Sequence, residues 1–122
     1  MIVLRGGILM NQQFFTNEMK EALISGLINI LPGKLDRVIL YGSVARGDAT
    51  SDSDVDIVLI LRSGFAANEK EAFFHWNAEL DLKYNRVFSI VDIELDCLNK
   101  WGTVVPFYKS IQNEGVVLWK AA

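Results

Sequence analysis

Two aspartates, Asp54 and Asp56, stand one residue apart at the start of an apolar run, Ile57-Val58-Leu59-Ile60-Leu61. Side chains alternate across a strand, so this spacing aims both carboxylates one way, with Val55 facing the other. Two anionic oxygen donors held that close repel each other unless a cation lies between them. Hard oxygen ligands at this spacing suit Mg²⁺ or Mn²⁺, ions that keep several waters and bind phosphate oxygens. Ten residues before the pair, Gly42-Ser43 closes another apolar run, Arg37-Val38-Ile39-Leu40-Tyr41. Glycine there permits close backbone approach, and a serine hydroxyl with neighbouring N–H groups can cradle phosphate at a helix start. Arg46, one helical turn along, adds a forked donor for the same anion. Each half alone is ordinary: an isolated Asp-x-Asp is usually a solvated loop, Gly-Ser a turn, a single arginine a surface charge. The ordered set of strand, Gly-Ser, ten residues, Asp-x-Asp and strand is rarer, and it points to metal-dependent phosphoryl chemistry.

The elements that must position these residues are legible from periodicity. Residues 16–31 read as a helix, capped by Thr16 or Asn17, with Met19, Leu23, Leu27, Ile30 and Leu31 near helical spacing and Pro32-Gly33 as its stop. Residues 37–41 read as a strand, 44–46 as the start of a short helix, 47–53 as polar loop and 54–61 as a buried strand. A long helix is predicted over 66–84, striped by Phe73, Trp76, Leu80 and Tyr84, with Asn85 as a left-handed stop. A third strand over 86–93, a helical turn over 95–101, a short helix over 105–113 and an apolar segment over 116–119 complete the chain. This alternation predicts an α/β (α+β) domain, a small mixed sheet with helices packed on it.

At 122 residues the chain accommodates one domain, expected over 1–122. Residues 1–15 are expected to be a flexible or non-native start, because Arg5-Gly6-Gly7 ahead of Met10 has the look of a translated ribosome-binding site. The first ten residues are too short to span a bilayer and lack the layout of a signal peptide, and a single cysteine, Cys97, suits a reducing compartment; cytoplasmic residence is expected. A net charge of −3 argues against a nucleic-acid surface. The lone histidine, His75, lies mid-helix between aromatic residues with no second ligand or base nearby, and reads as packing or surface. Seven aromatic residues (Phe73, Phe74, Trp76, Trp101, Phe107, Tyr108 and Trp119) should mostly be core, any surplus forming an exposed apolar patch that marks an interface.

Gly42-Ser43, Ala45-Arg46-Gly47, Ser53-Asp54, Asp56 and the strand after them resemble the signature of the minimal nucleotidyltransferase (MNT) family, MntA-like antitoxin type, of the DNA polymerase β-like nucleotidyltransferase superfamily. The core motif covers residues 38–61, and element order extends the likeness through Glu114-Gly115-Val116-Val117-Leu118. The resemblance implies the nucleotidyltransferase fold, ATP as donor, and two Mg²⁺ ions. It implies Gly42, Ser43, Arg46 and Ser53 at the nucleotide and Asp54 and Asp56 at the metal. The superfamily places a third acid on the next strand, as metal ligand and general base. Asp92 fits that place better than Glu94, although Phe88-Ser89-Ile90-Val91 also resembles a branch whose strand carries no acid facing the metals, with Asp92 in the following turn. The implied partner is a HEPN-domain RNase toxin, adenylylated on a tyrosine by its antitoxin in a type VII toxin–antitoxin pair. Two alternatives stay open: a catalytically weak module that neutralises its partner by contact, and a small-molecule, aminoglycoside-type nucleotidyltransferase.

Overall fold

The computed structural model describes residues 14–122 in full and, among the first thirteen, the backbone of two short strands, β1 (Ile2–Leu4) and β2 (Ile8–Met10), paired antiparallel. Met1, Arg5, Gly6 and Gly7, on which the expectation of a non-native start rests, lie outside the described residues. Phe15, counted with the flexible start from sequence, is fully buried and belongs to the core. From there the chain runs α1 (Asn17–Ile30), β3 (Leu35–Tyr41), α2 (Gly42–Arg46), β4 (Val55–Leu61), α3 (Ala67–Tyr84), β5 (Phe88–Glu94), α4 (Leu95–Trp101), α5 (Pro106–Glu114) and β6 (Val116–Lys120).

The second sheet has the order β5-β4-β3-β6, with β4 and β5 parallel and the other pairs antiparallel. Its two faces follow from the alternation of side chains along each strand. Val38, Leu40, Val55, Ile57, Leu59 and Leu61 face the larger core, where Leu23 and Leu27 of α1 and Phe73 and Leu80 of α3 meet them. Ile39, Val58, Ile60 and Ile93 face the other way and are covered by Leu98 of α4 and Ile111 of α5. Residues on both faces of β4 are therefore apolar, as expected for a central strand. Only its first turn is polar, and that is where the aspartates sit.

The helices begin and end for local reasons. The Thr16 hydroxyl accepts from the Met19 N–H at 3.1 Å and caps α1, whose residues Met19, Leu23 and Leu27 fall one turn apart on the buried side. Asn85 takes the left-handed conformation, φ 50°, and ends α3 as its residue type predicts. Among the described residues no helix is long and apolar enough to cross a membrane.

Candidate active site

The site is built where β3 stops. Tyr41 is in register with Asp56 across the antiparallel β3–β4 pair, so the residue after Tyr41 emerges beside that carboxylate. The residue is Gly42, and two conditions require glycine. Its φ is +72°, and a Cβ would collide with the Asp56 carboxylate, with Cγ only 3.1 Å away. The turn is tight because α2 is a single short helix, closed when the Gly47 N–H donates to the carbonyls of Ser43 (3.0 Å) and Val44 (3.3 Å) at φ +84°. Its backbone is thus pressed against the acid it serves. Val44 and Ala45 are buried, which fixes α2 on the sheet and leaves Ser43 half-buried and Arg46 exposed at the surface of the turn.

Asp54 is exposed just before β4, Val55 is fully buried, and Asp56 is half-buried within the strand. Burial holds the Asp56 carboxyl above the usual carboxylate range; the nearby Asp54 charge raises it further and Arg46 opposes the rise. The three charged side chains therefore sense one another. Arg46 also pairs with Asp48, at 3.4 Å between two exposed groups, a contact worth about 0–1 kcal/mol that leaves the arginine free to swing.

The fold brings together Gly42, Ser43, Arg46, Asp54 and Asp56. It gives Ser53 another task. The Ser53 hydroxyl accepts from the Thr50 N–H at 2.9 Å and lies 3.3 Å from the Thr50 hydroxyl, closing the turn that leads into Asp54. There it shapes the loop that leads into the acid pair. The Ser53 carbonyl, in turn, accepts from Arg86 at 2.8 Å, and the other arm of that guanidinium donates to the Phe14 carbonyl at 2.8 Å. Arg86 Nε is buried with no partner. Sequence reading missed Arg86, because its partners lie 33 and 72 positions away and are backbone atoms.

Asp92 is not the third acid of this site. In the parallel β4–β5 pair Asp56 is in register with Ser89, while Asp92 lies opposite Leu59 and Glu94 opposite Leu61. Three residues along a strand is roughly 10 Å, and an odd step also changes face. Asp92 thus stands on the side of the sheet where Leu59 meets the larger core, not on the side of Asp56. It lies within β5 and not in the turn after it. Among the described residues no three His, Cys, Asp or Glu side chains are grouped to hold a metal ion. The donor set is two carboxylates of hard oxygen with a glycine turn laid against one of them. That fits a divalent cation whose remaining ligands are water and phosphate oxygens.

Next to Asp56 on the same face lies a shallow depression walled by Tyr41, Ser89, Val91 and Phe107. The Tyr41 and Phe107 rings meet edge to face, 5.9 Å between centroids and 89° between planes. His75 is exposed on α3 and Cys97 half-buried on α4; neither has a place in this cluster. Of the seven aromatic residues expected mainly in the core, Phe73 is buried, while Phe74, Trp101 and Phe107 are exposed at 59%, 45% and 42%.

Residues 24–116 match the family described as Nucleotidyltransferase domain. The chain is 34% identical over 87 residues to MJ0141 of Methanocaldococcus jannaschii, named for candidate protein adenylyltransferase activity, over 71% of this chain and 82% of that one. It is 30% identical over 107 residues to MJ0604 of the same organism, named likewise, over 82% of this chain and 98% of that one. A toxin–antitoxin crystal structure with AMP-PNP superposes with TM-score 0.59 at 19% identity, over 84% of this chain and 73% of that chain. A tri-AMPylated Shewanella oneidensis HEPN toxin in complex with its MNT antitoxin gives 0.52 at 18%, over 91% and 74%. These structures share the fold. The chain belongs to the nucleotidyltransferase domain family, and its likeness to the minimal nucleotidyltransferases holds.

Proposed function

We propose that this protein transfers the AMP of ATP to a hydroxyl of a partner protein, a tyrosine of a HEPN-type RNase toxin, and so acts as the antitoxin of a type VII pair in the cytoplasm. The observation that carries the reading is the Gly42 turn laid directly against the Asp56 carboxylate, with Asp54 two residues before it. The family membership supports the reaction class. The names of the relatives support a protein acceptor, and the toxin–antitoxin neighbours support a toxin as that acceptor.

In this reading Asp54 and Asp56 hold Mg²⁺, which, when bound, neutralises the triphosphate and the departing pyrophosphate. The exclusion of a side chain at position 42 lets the backbone approach the phosphates, and the Ser43 hydroxyl donates to them. Arg46, exposed and only weakly engaged by Asp48, swings to the outer phosphate oxygens with a bidentate grip. Arg86 holds the Ser53 carbonyl, and through it the loop that aims Asp54.

A direct test is intact-mass and peptide mass spectrometry of the adjacent gene's product after co-expression. An adenylyl adduct on a tyrosine, absent when Asp54→Ala/Asp56→Ala is co-expressed instead, is the expected result. An unmodified partner beside the wild-type protein contradicts it. Among the described residues no third acid stands beside Asp56, and aromatic residues are exposed; both favour one second reading, a module that silences its partner by contact, whose signature is the unmodified but inhibited partner.

A further inference from the structure

At the edge of the sheet away from β5, β6 pairs with β3, and among the described residues no strand takes its outer side. An open edge presents N–H and C=O groups in line, ready to pair with another chain. Natural edges are blunted by proline, by charge or by a bulge. Val116-Val117-Leu118-Trp119 carries neither proline nor charge, and Lys120 stands only at the far end. A bulge is present: Leu118 is the extra residue where Val38 and Ile39 face Trp119 and Val117. It adds local twist, so a strand without the same twist matches this edge poorly. A second copy of β6 brings the same twist.

Alongside the edge runs an apolar groove. Ile24 and Ile28 of α1 form one wall, Leu118 and Trp119 of β6 the other, with Lys20 and Glu21 at its rim. Ile28 is exposed at 41%, on a helix whose buried stripe lies on its other side. The charges at the two ends of β6 select the occupant. Glu114 directly precedes the strand and its turn, and Lys120 closes it; both are exposed. Among the described residues neither has an ion pair within the chain. Two copies of β6 laid antiparallel about Val117 set Glu114 of each opposite Lys120 of the other, twice by symmetry. The edge is therefore complementary to itself.

We propose that two copies of this chain join edge to edge through β6, as a two-fold dimer in which the two four-stranded sheets become continuous and the grooves close against each other at the seam. A five-residue edge alone buries less than the roughly 800 Å² per partner of a stable complex, so the groove must supply the rest. β3 stands between β6 and the acids of β4, so the dimer holds whether or not the transfer reading does.

The test is sedimentation equilibrium of the full chain at physiological ionic strength. The wild type is expected to be mainly dimeric by about 10 µM, the concentration scale of a modest interface. Lys120→Glu and Glu114→Lys are each expected to weaken association by roughly 10-fold or more, and the double variant Glu114→Lys/Lys120→Glu to restore it to within about threefold. Ile28→Asp is expected to be monomeric at the same concentration. All three side chains are exposed, and circular dichroism checks that each variant folds. A wild type still monomeric at about 100 µM overturns the proposal. So does a dimer indifferent to Lys120→Glu, or a double variant as weak as the single ones. A monomer whose binding to the adjacent gene's product is lost in Ile28→Asp gives the groove to that partner, and equally overturns it.

Discussion

Gly42 and Asp56 make opposed contributions to stability and function, and both are measurable. A side chain at position 42 meets the Asp56 carboxylate and must adopt φ +72°, a conformation that costs L-residues about 1–2 kcal/mol before any collision. Gly42→Ala is therefore expected to lower stability by about 2 kcal/mol in denaturant titration and to reduce nucleotide binding at least 10-fold. Asp56 runs the other way. Its folded-state carboxyl titrates above the usual value, so the folded state binds that proton more tightly than the unfolded chain does. Stability from this group is greatest below the ordinary carboxylate value and falls as pH rises from there through the raised one. Without added cation, Asp56→Asn should then be the more thermostable protein at pH 7, by roughly 1–4 °C, with the advantage gone near pH 3. Equal melting temperatures at both pH values would contradict the assigned cause.

Helices and strands explain how much of this was legible. The stripes Met19, Leu23, Leu27 and Phe73, Leu80 are periodic in the sequence, so α1 and α3 are readable, and Asn85 marks the end of α3. The site residues Gly42, Ser43, Asp54 and Asp56 are readable too, because strand alternation and one tight turn are local physics. What is not local was lost. Asp92 looked like a third acid because Val-Asp-Ile has the right composition, but its place depends on how β5 registers with β4, and a three-residue offset moves it by roughly 10 Å and to the other face. Arg86 was invisible for the same reason, its partners being carbonyls remote in sequence. Packing overrides propensity at Gly26, within α1. Alanine there would favour the helix by about 1 kcal/mol, yet its Cβ would strike the Trp76 indole of α3. Gly26→Ala is expected to destabilise by about 1–3 kcal/mol, read by thermal melting; a stabilised variant would show that Trp76 gives way easily.

Over the whole molecule, the candidate site lies at one end of a four-stranded sheet, where β3 passes into α2. Val91 of β5 and Phe107 of α5 are exposed beside the site, and Trp101 of α4 and Val104, between α4 and α5, are exposed as well. The proposed reading places the chemistry at the β3–β4 end of the sheet, on an acceptor hydroxyl that the partner protein itself supplies. It also makes the division between Asp54 with Asp56 and Asp92 the sharpest question about the molecule. The decisive measurement is transfer of label from α-labelled ATP to the adjacent gene's product by three proteins: wild type, Asp54→Ala/Asp56→Ala and Asp92→Ala. The account predicts at least a 1,000-fold loss in the double variant and a rate within about twofold of wild type in Asp92→Ala, since truncating an exposed acid on the far face disturbs little. Undiminished transfer by the double variant, or a loss in Asp92→Ala as deep as in the double variant, would contradict it.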